Sequence, residues 1–185
     1  MIAVLALQGA FIEHRQMLQR LGVDTVEIRQ LKDWERFMAS PFEGRALILP
    51  GGESTVQMRL LKDLGLFEPI RQAILNGLPV LGTCAGMILL SEGYLGTMHI
   101  RVRRNAYGRQ LGSFHTVGRV EGVGDDVPMT FIRAPYIEAV LSPDCQAIAE
   151  VDGHIVAARQ GNQIALAFHP EVGTDTRLHQ LLLSL

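Results

Sequence analysis

Four short strand-like runs, three of them apolar and stopped by turns that contain glycine or proline, limit most strongly how this chain folds. Ile2–Leu7 is continuously apolar, Asp24–Ile28 and Arg45–Leu49 follow, and Pro79–Thr83 is the fourth. A run that is apolar throughout, rather than at every second residue, belongs to a strand covered on both faces, as in parallel sheets. Helical patterns lie between the runs. Phe11–Leu21 reads as a helix with Ile12, Leu18 and Leu21 facing inward, and Gly22 stands where a helix-ending glycine belongs. Val56–Leu64 and Phe67–Asn76 read as two more, the second closed by Gly77. Strands alternating with helices predict βαβ units and a doubly wound parallel sheet.

The second half reads differently. Met98–Ile132 holds shorter strand-like runs, many turns and a basic cluster at Arg101, Arg103 and Arg104. His154–Ala158 and Ile164–Phe168 flank Gly161-Asn162, a hairpin signal. Leu178, Leu181, Leu182 and Leu185 form the core-facing stripe of a final helix. No repeat or linker interrupts the chain, so residues 1–185 are expected to form one domain.

Composition excludes several classes of protein. With 48% hydrophobic and 19% charged residues the chain is a folded globule. Seventeen basic against 19 acidic residues leave a net charge of −2, which predicts neither nucleic acid nor an anionic membrane as a partner. The apolar N-terminus has no leading positive charge, and the uncharged stretch from Gln72 to Ser91 is broken by Asn76-Gly77, Pro79, Gly82 and Gly86. Neither a signal peptide nor a transmembrane helix is expected. Two cysteines, Cys84 and Cys145, are too few for a disulfide scaffold and imply a reducing, cytoplasmic setting.

Gly82-Thr83-Cys84-Ala85-Gly86 stands between a predicted strand and a predicted helix. It is the thiol counterpart of the G-x-S-x-G nucleophile elbow, in which a sharp turn lifts one side chain above the sheet. A helix N-terminus behind the sulfur stabilises negative charge there. A buried structural cysteine in a glycine-rich turn is the competing reading. A thiol nucleophile needs a base. His169 ends the run Ile164–Phe168 and heads His169-Pro170-Glu171, so it belongs at a strand's carboxyl end, with Glu171 available to orient it. Pro50-Gly51-Gly52-Glu53-Ser54-Thr55 follows the third strand. Its glycines allow backbone N–H groups to approach a developing oxyanion, and Ser54 or Thr55 could cap the next helix. His14 on a surface helix, His154 in the hairpin and His179 on the outer face of the last helix read as structural, and His99 and His115 receive no role. Metal-ligand spacing is absent and no cofactor motif is found.

These residues resemble the class I, triad-type glutamine amidotransferases. Within that group the chain is similar to the glutaminase-subunit family of pyridoxal 5′-phosphate synthases. The likeness rests on Leu7-Gln8-Gly9-Ala10 with Glu13-His14, the Pro50–Thr55 loop, Arg104-Asn105 with Tyr107-Gly108-Arg109-Gln110, Phe131-Ile132-Arg133-Ala134-Pro135, and Phe168–Glu171. The resemblance implies a three-layer, mostly parallel, flavodoxin-like α/β sheet with helices on both faces and an antiparallel addition in the C-terminal half. It implies hydrolysis of L-glutamine to glutamate and ammonia, with the ammonia passed to a separate synthase subunit in a large hetero-oligomer. Position by position, Cys84 is the nucleophile, His169 the general base and acid, and Glu171 its orienter. Gly51, Gly52, Glu53, Arg104, Ile132 and Arg133 match the glutamine-binding positions, and the backbone of Gly52 and Ala85 forms the oxyanion hole. The glutaminase domain is expected to fill residues 1–185 and to leave no room among them for a synthase domain.

Two departures stand out. Only seventeen residues, Met87 to Arg103, separate Gly86 from Arg104, so the helix after the elbow or its following loop is expected to be cut back. Leu111–His115 also lacks the acidic pattern usual after Gly-Arg-Gln. Two alternatives remain at this level: a sister class I amidotransferase, and a catalytically silent flavodoxin-like module that keeps the elbow as a turn.

Overall fold

The computed structural model describes residues 1–41, 44–104 and 113–185. The Asn105–Gln110 part of the sequence signature lies outside them. The first half alternates as expected: β1 (Ile2–Leu5), α1 (Phe11–Arg20), β2 (Thr25–Ile28), α2 (Leu31–Ala39), β3 (Ala46–Leu49), α3 (Ser54–Asp63), α4 (Phe67–Leu75), β4 (Val80–Thr83) and α5 (Ala85–Leu90). Every residue of β1, β3 and β4 is buried, the condition their uninterrupted apolar runs predict. The second half supplies β5 (Ile100–Arg103), β6 (Ser113–Val120), β7 (Gly124–Ile132), β8 (Tyr136–Val140), β9 (Cys145–Val151), β10 (His154–Gln160) and β11 (Gln163–Leu166). A 3₁₀ turn at Pro170–Val172 and α6 (Arg177–Leu183) complete it.

The main sheet runs β2-β1-β3-β4-β11-β10-β8-β5, with β9 paired to β10. Its first five strands are parallel. Antiparallel pairing begins at the β10–β11 hairpin, where Gln160 faces Gln163 across Gly161-Asn162. β6 and β7 form a separate two-stranded sheet. The architecture is therefore the mixed α/β arrangement expected, mostly parallel with an antiparallel extension. Strand order reverses direction at β1, and the right-handed rule for crossovers assigns α1 to one face and α2 and α3 to the other. That reversal opens a crevice above the carboxyl ends of β1 and β3, where open α/β sheets bind ligands.

Two expectations about helix faces are corrected. Ile12 is 51% exposed, and α1 instead buries His14, Met17 and Leu18, spaced i, i+3, i+4. His179 lies on the buried face of α6 beside Leu178 and Leu182. The helix after the elbow is cut to six residues and ends where the Ser91 N–H and hydroxyl both donate to the Ile88 carbonyl. Among the described residues no helix is long and apolar enough to cross a membrane.

Candidate active site

Each side chain of the site hangs from the end of a sheet strand. Cys84 follows β4 and precedes α5 with φ 49° and ψ −99°, a left-handed backbone that non-glycine residues avoid at a cost of about 1–3 kcal/mol. The flanking glycines are explained by space. A Cβ on Gly86 would overlap the Leu49 carbonyl of β3, and one on Gly82 would stand 2.6 Å from the Gly86 carbonyl oxygen. The strand therefore passes into the helix only if neither neighbour carries a side chain.

Cys84 and His169 line the same cavity, and the His169 Nδ1 stands 2.7 Å from Glu171 Oε1. With Nδ1 turned to the carboxylate, Nε2 is left for the sulfur. His169 comes just after β11, and its backbone N–H donates to the Thr130 carbonyl of β7 at 2.8 Å. The aromatic rings of Phe114, Phe131 and Phe168 pack in series beneath that junction. Burial alone would push the His169 imidazole down. The neighbouring Cys84 and Glu171 side chains outweigh burial and push it up to about 10, so the ring carries its proton at neutral pH. Glu171 is fully buried, which would raise its pKa, yet the His14 and His169 imidazoles beside it hold it below the usual carboxylate value. Cys145 contrasts with Cys84: burial, then the Asp144 charge, pushes its thiol up to about 11.

Above the thiol lies a cavity of about 380 Å³, lined by Gly51, Gly52, Glu53, Cys84, Ala85, Arg104, Ile132, Arg133 and His169, among others. It has the size of a small-molecule site. All the expected site residues line it except Glu171, which sits behind His169. The Pro50–Thr55 loop is held from beneath by residues that sequence reasoning gave no role. Gln8 Oε1 accepts from the Glu53 N–H at 2.7 Å, Gln57 donates to the Gln8 and Pro50 carbonyls, and the Ala10 N–H donates to the Gly51 carbonyl at 2.9 Å. Glu53, rather than Ser54 or Thr55, caps α3, with its carboxylate accepting from the Thr55 N–H and hydroxyl. Those bonds, and after them the Arg104 charge, hold its carboxyl below the usual range. Arg104 pairs with Glu53 at 3.1 Å on the rim. Arg133 follows β7 with a left-handed φ of 44°. Of the two histidines without a role, His99 lies on the surface beside Gln160 and Asp144, and His115 bonds Thr130 Oγ1.

The largest surprise is beneath the triad. His14 and His179, expected on outer helix faces, are both fully buried, 3.0 Å apart, and His14 also approaches Thr83 and Glu171. Burial, then the neighbouring His14, pushes His179 down to about 3, and burial also lowers His14. The His179 ring is therefore neutral in the fold near neutral pH but protonates below about pH 6.5 once unfolded. The His179 contribution to stability is thus complete above pH 6.5 and is lost as pH falls from 6.5 towards 3, and burial of His14 acts in the same direction. The expected result is an acid limb in urea unfolding between pH 6 and 4, with up to about 1.4 kcal/mol per pH unit from His179. His179→Leu makes that limb shallower; an unchanged slope would contradict this account.

A mostly parallel α/β sheet with a thiol on a strained elbow and an imidazole–carboxylate pair at the next strand defines the class: an α/β protein equipped for cysteine-dependent amide chemistry. The chain belongs to the SNO glutamine amidotransferase family, whose model matches residues 4–184. It is 53% identical over 189 residues to a protein of Desulfitobacterium hafniense named pyridoxal 5′-phosphate synthase subunit PdxT, covering 98% of this chain and 91% of that one. A protein of the same name from Methanocorpusculum labreanum is 56% identical over 190 residues, covering 100% and 96%. A crystal structure described as a glutamine amidotransferase superposes with a TM-score of 0.87 at 38% identity, covering 99% of this chain and 97% of the other.

Proposed function

We propose that this chain hydrolyses L-glutamine to L-glutamate and ammonia as the glutaminase subunit of a pyridoxal 5′-phosphate synthase, handing the ammonia to a separate synthase subunit. The observation that carries the reading is the strained Cys84 elbow, which shares one cavity with a His169 that is itself 2.7 Å from Glu171. Membership of the amidotransferase family and the names of the close relatives support the substrate and the partner.

In this reading Cys84 attacks the side-chain amide carbon of glutamine as its thiolate, the reactive form. The oxyanion is met by the backbone N–H groups of Gly52 and Ala85, the latter in the first turn of α5, whose amides lack intrahelical acceptors. Protonated His169 gives its proton to the departing ammonia, leaving a glutamyl thioester. Neutral His169 then takes a proton from water, which attacks the thioester and releases glutamate and the thiol sulfur. Glu171 orients the imidazole and balances its charge. Glu53, Arg104, Ile132 and Arg133 hold the amino-acid end of the substrate, with an arginine suited to its α-carboxylate. Residues 1–185 act as one amidotransferase domain, in the cytoplasm, within a large hetero-oligomer.

Two results test this reading. Arg104→Gln raises KM for glutamine about tenfold or more while kcat changes less, because one charge-assisted contact is lost in both ground and transition states. Steady-state kinetics check it, and an unchanged KM removes Arg104 from the substrate site. The second concerns the partner. In this reading the synthase turns the Gly51–Gly52 peptide so that the Gly52 N–H faces the oxyanion, which breaks the bond from the Ala10 N–H to the Gly51 carbonyl. The chain alone therefore releases ammonia slowly, and co-purified synthase raises the rate by about tenfold or more. Full turnover by the isolated chain would overturn this dependence.

A further inference from the structure

Four elements from three separate parts of the sequence meet beneath the triad. His14 comes from α1, Thr83 from the last position of β4, Glu171 from the 3₁₀ turn and His179 from α6. The His14 Nε2 is 3.1 Å from Thr83 Oγ1 and 3.5 Å from Glu171 Oε2, and its Nδ1 is 3.0 Å from His179 Nε2. His14 and His179 are completely buried, and so is the Glu171 side chain. None of them except Glu171 enters the chemistry above. Glu171 Oε1 is used by His169, whereas Oε2 is buried without a hydrogen-bond partner of its own.

The tautomers follow from these contacts. If His14 donated from Nδ1, its Nε2 lone pair would face the Glu171 carboxylate, and His179 would bury an unpaired N–H. If His179 donates from Nε2 to His14 Nδ1, then the His14 Nε2–H points at Thr83 and lies beside Glu171 Oε2. Only an acceptor, His179 Nδ1, is then left unpaired, the cheaper orphan. The second arrangement puts a positive hydrogen next to a buried anion and is the one the electrostatics select.

We propose that His14 is a positioning residue that keeps the Glu171 carboxylate ionised and aligned on His169, and that His179 serves it by locking the tautomer that turns the His14 Nε2–H towards Glu171. This rests on the glutaminase reading for its kinetic consequences but not for its geometry. His14 lies outside the residues lining the cavity, so it acts on the imidazole and not on substrate affinity. The groups bearing on it are Glu171, His169, His179 and, from its own helix, Glu13. Loss of the Nε2–H leaves Glu171 with a bare buried oxygen and favours its protonation, and His169 then loses the negative partner that supports its proton.

The experiment titrates His169 in ¹⁵N-histidine-labelled full-length protein by NMR, without substrate, and measures glutaminase kinetics with the synthase bound. In His14→Leu the His169 titration moves roughly one pH unit or more lower than in wild type. kcat falls about tenfold to a hundredfold with KM within about twofold. His14→Gln, whose amide N–H reaches the position of Nε2, restores most of both. His14→Asn, whose amide reaches only the position of Nδ1, restores neither. If the leucine variant fails to fold, the glutamine and asparagine pair decides the matter. A folded His14→Leu with the wild-type His169 titration, or an Asn variant equal to Gln, overturns the proposal. Failure of the glutaminase reading has a separate signature: ammonia release that survives Cys84→Ala. The substrate-free titration tests His14 in either event.

Discussion

Cys84→Ala lowers the rate of ammonia release from glutamine in the synthase complex by about 10⁴-fold or more, the scale on which losing a covalent nucleophile acts. The alanine keeps the Cβ and the same left-handed backbone, so the elbow and its strain persist and the fold is expected to be preserved. The thiol is one of several groups lining the cavity, and Glu53, Arg104, Arg133 and the glycine loop are untouched by the change. Glutamine binding measured by calorimetry therefore remains within about threefold of wild type. That combination, binding without turnover, separates loss of the nucleophile from loss of the pocket. Equal rates for the two proteins would remove Cys84 from the mechanism and favour the reading of this elbow as a structural turn.

Gly86→Ala destabilises the protein by about 3 kcal/mol or more, the upper range of overpacking costs, and lowers Tm by about 10 °C. The added methyl would overlap the Leu49 carbonyl oxygen and crowd its carbon, backbone atoms of a strand that is buried throughout. Nothing flexible can yield, so α5 must lift off β3 and carry Cys84 with it. Gly77→Ala is the control. Gly77 has a left-handed φ, 96°, unlike the helical Gly86, but a methyl added there would meet no atom within 4 Å, so the cost is backbone strain alone, about 1 kcal/mol. Thermal unfolding of the two variants gives the comparison. Similar losses in both would show that steric exclusion does not account for the second glycine of the elbow.

Much of this site was legible in the sequence because its parts sit where local pattern changes abruptly. The uninterrupted apolar runs mark doubly covered strands, and the residues at their ends, Gly51, Cys84 and His169, are carried to the same edge of the sheet by topology alone. The hairpin at Gly161-Asn162 was legible for the same reason, a turn signal between two strand-like runs. The α2 helix was readable but went unassigned: Trp34 and Phe37 form its buried face, and Asp33 accepts from the Gln30 N–H at its start. The assignment of Glu53 as a cap, in place of Ser54 or Thr55, depended on where the loop turned rather than on which residues it held.

The histidines mark the boundary. His14 stands with Met17 and Leu18 at the spacing of a buried helix face, and His179 stands beside Leu178, so a weak local signal existed for both. A polar side chain at such a position costs several kcal/mol unless it finds a partner, and the partner of His14 is 165 residues away. Short-range sterics and hydrophobic period, both written in the order of residues, suffice for the sheet, for the elbow with its two glycines, and for the thiol, imidazole and carboxylate at the strand ends. That two more imidazoles lie beneath the triad was settled in three dimensions, because burying a neutral histidine depends on which distant donor or acceptor the packing brings within 3 Å.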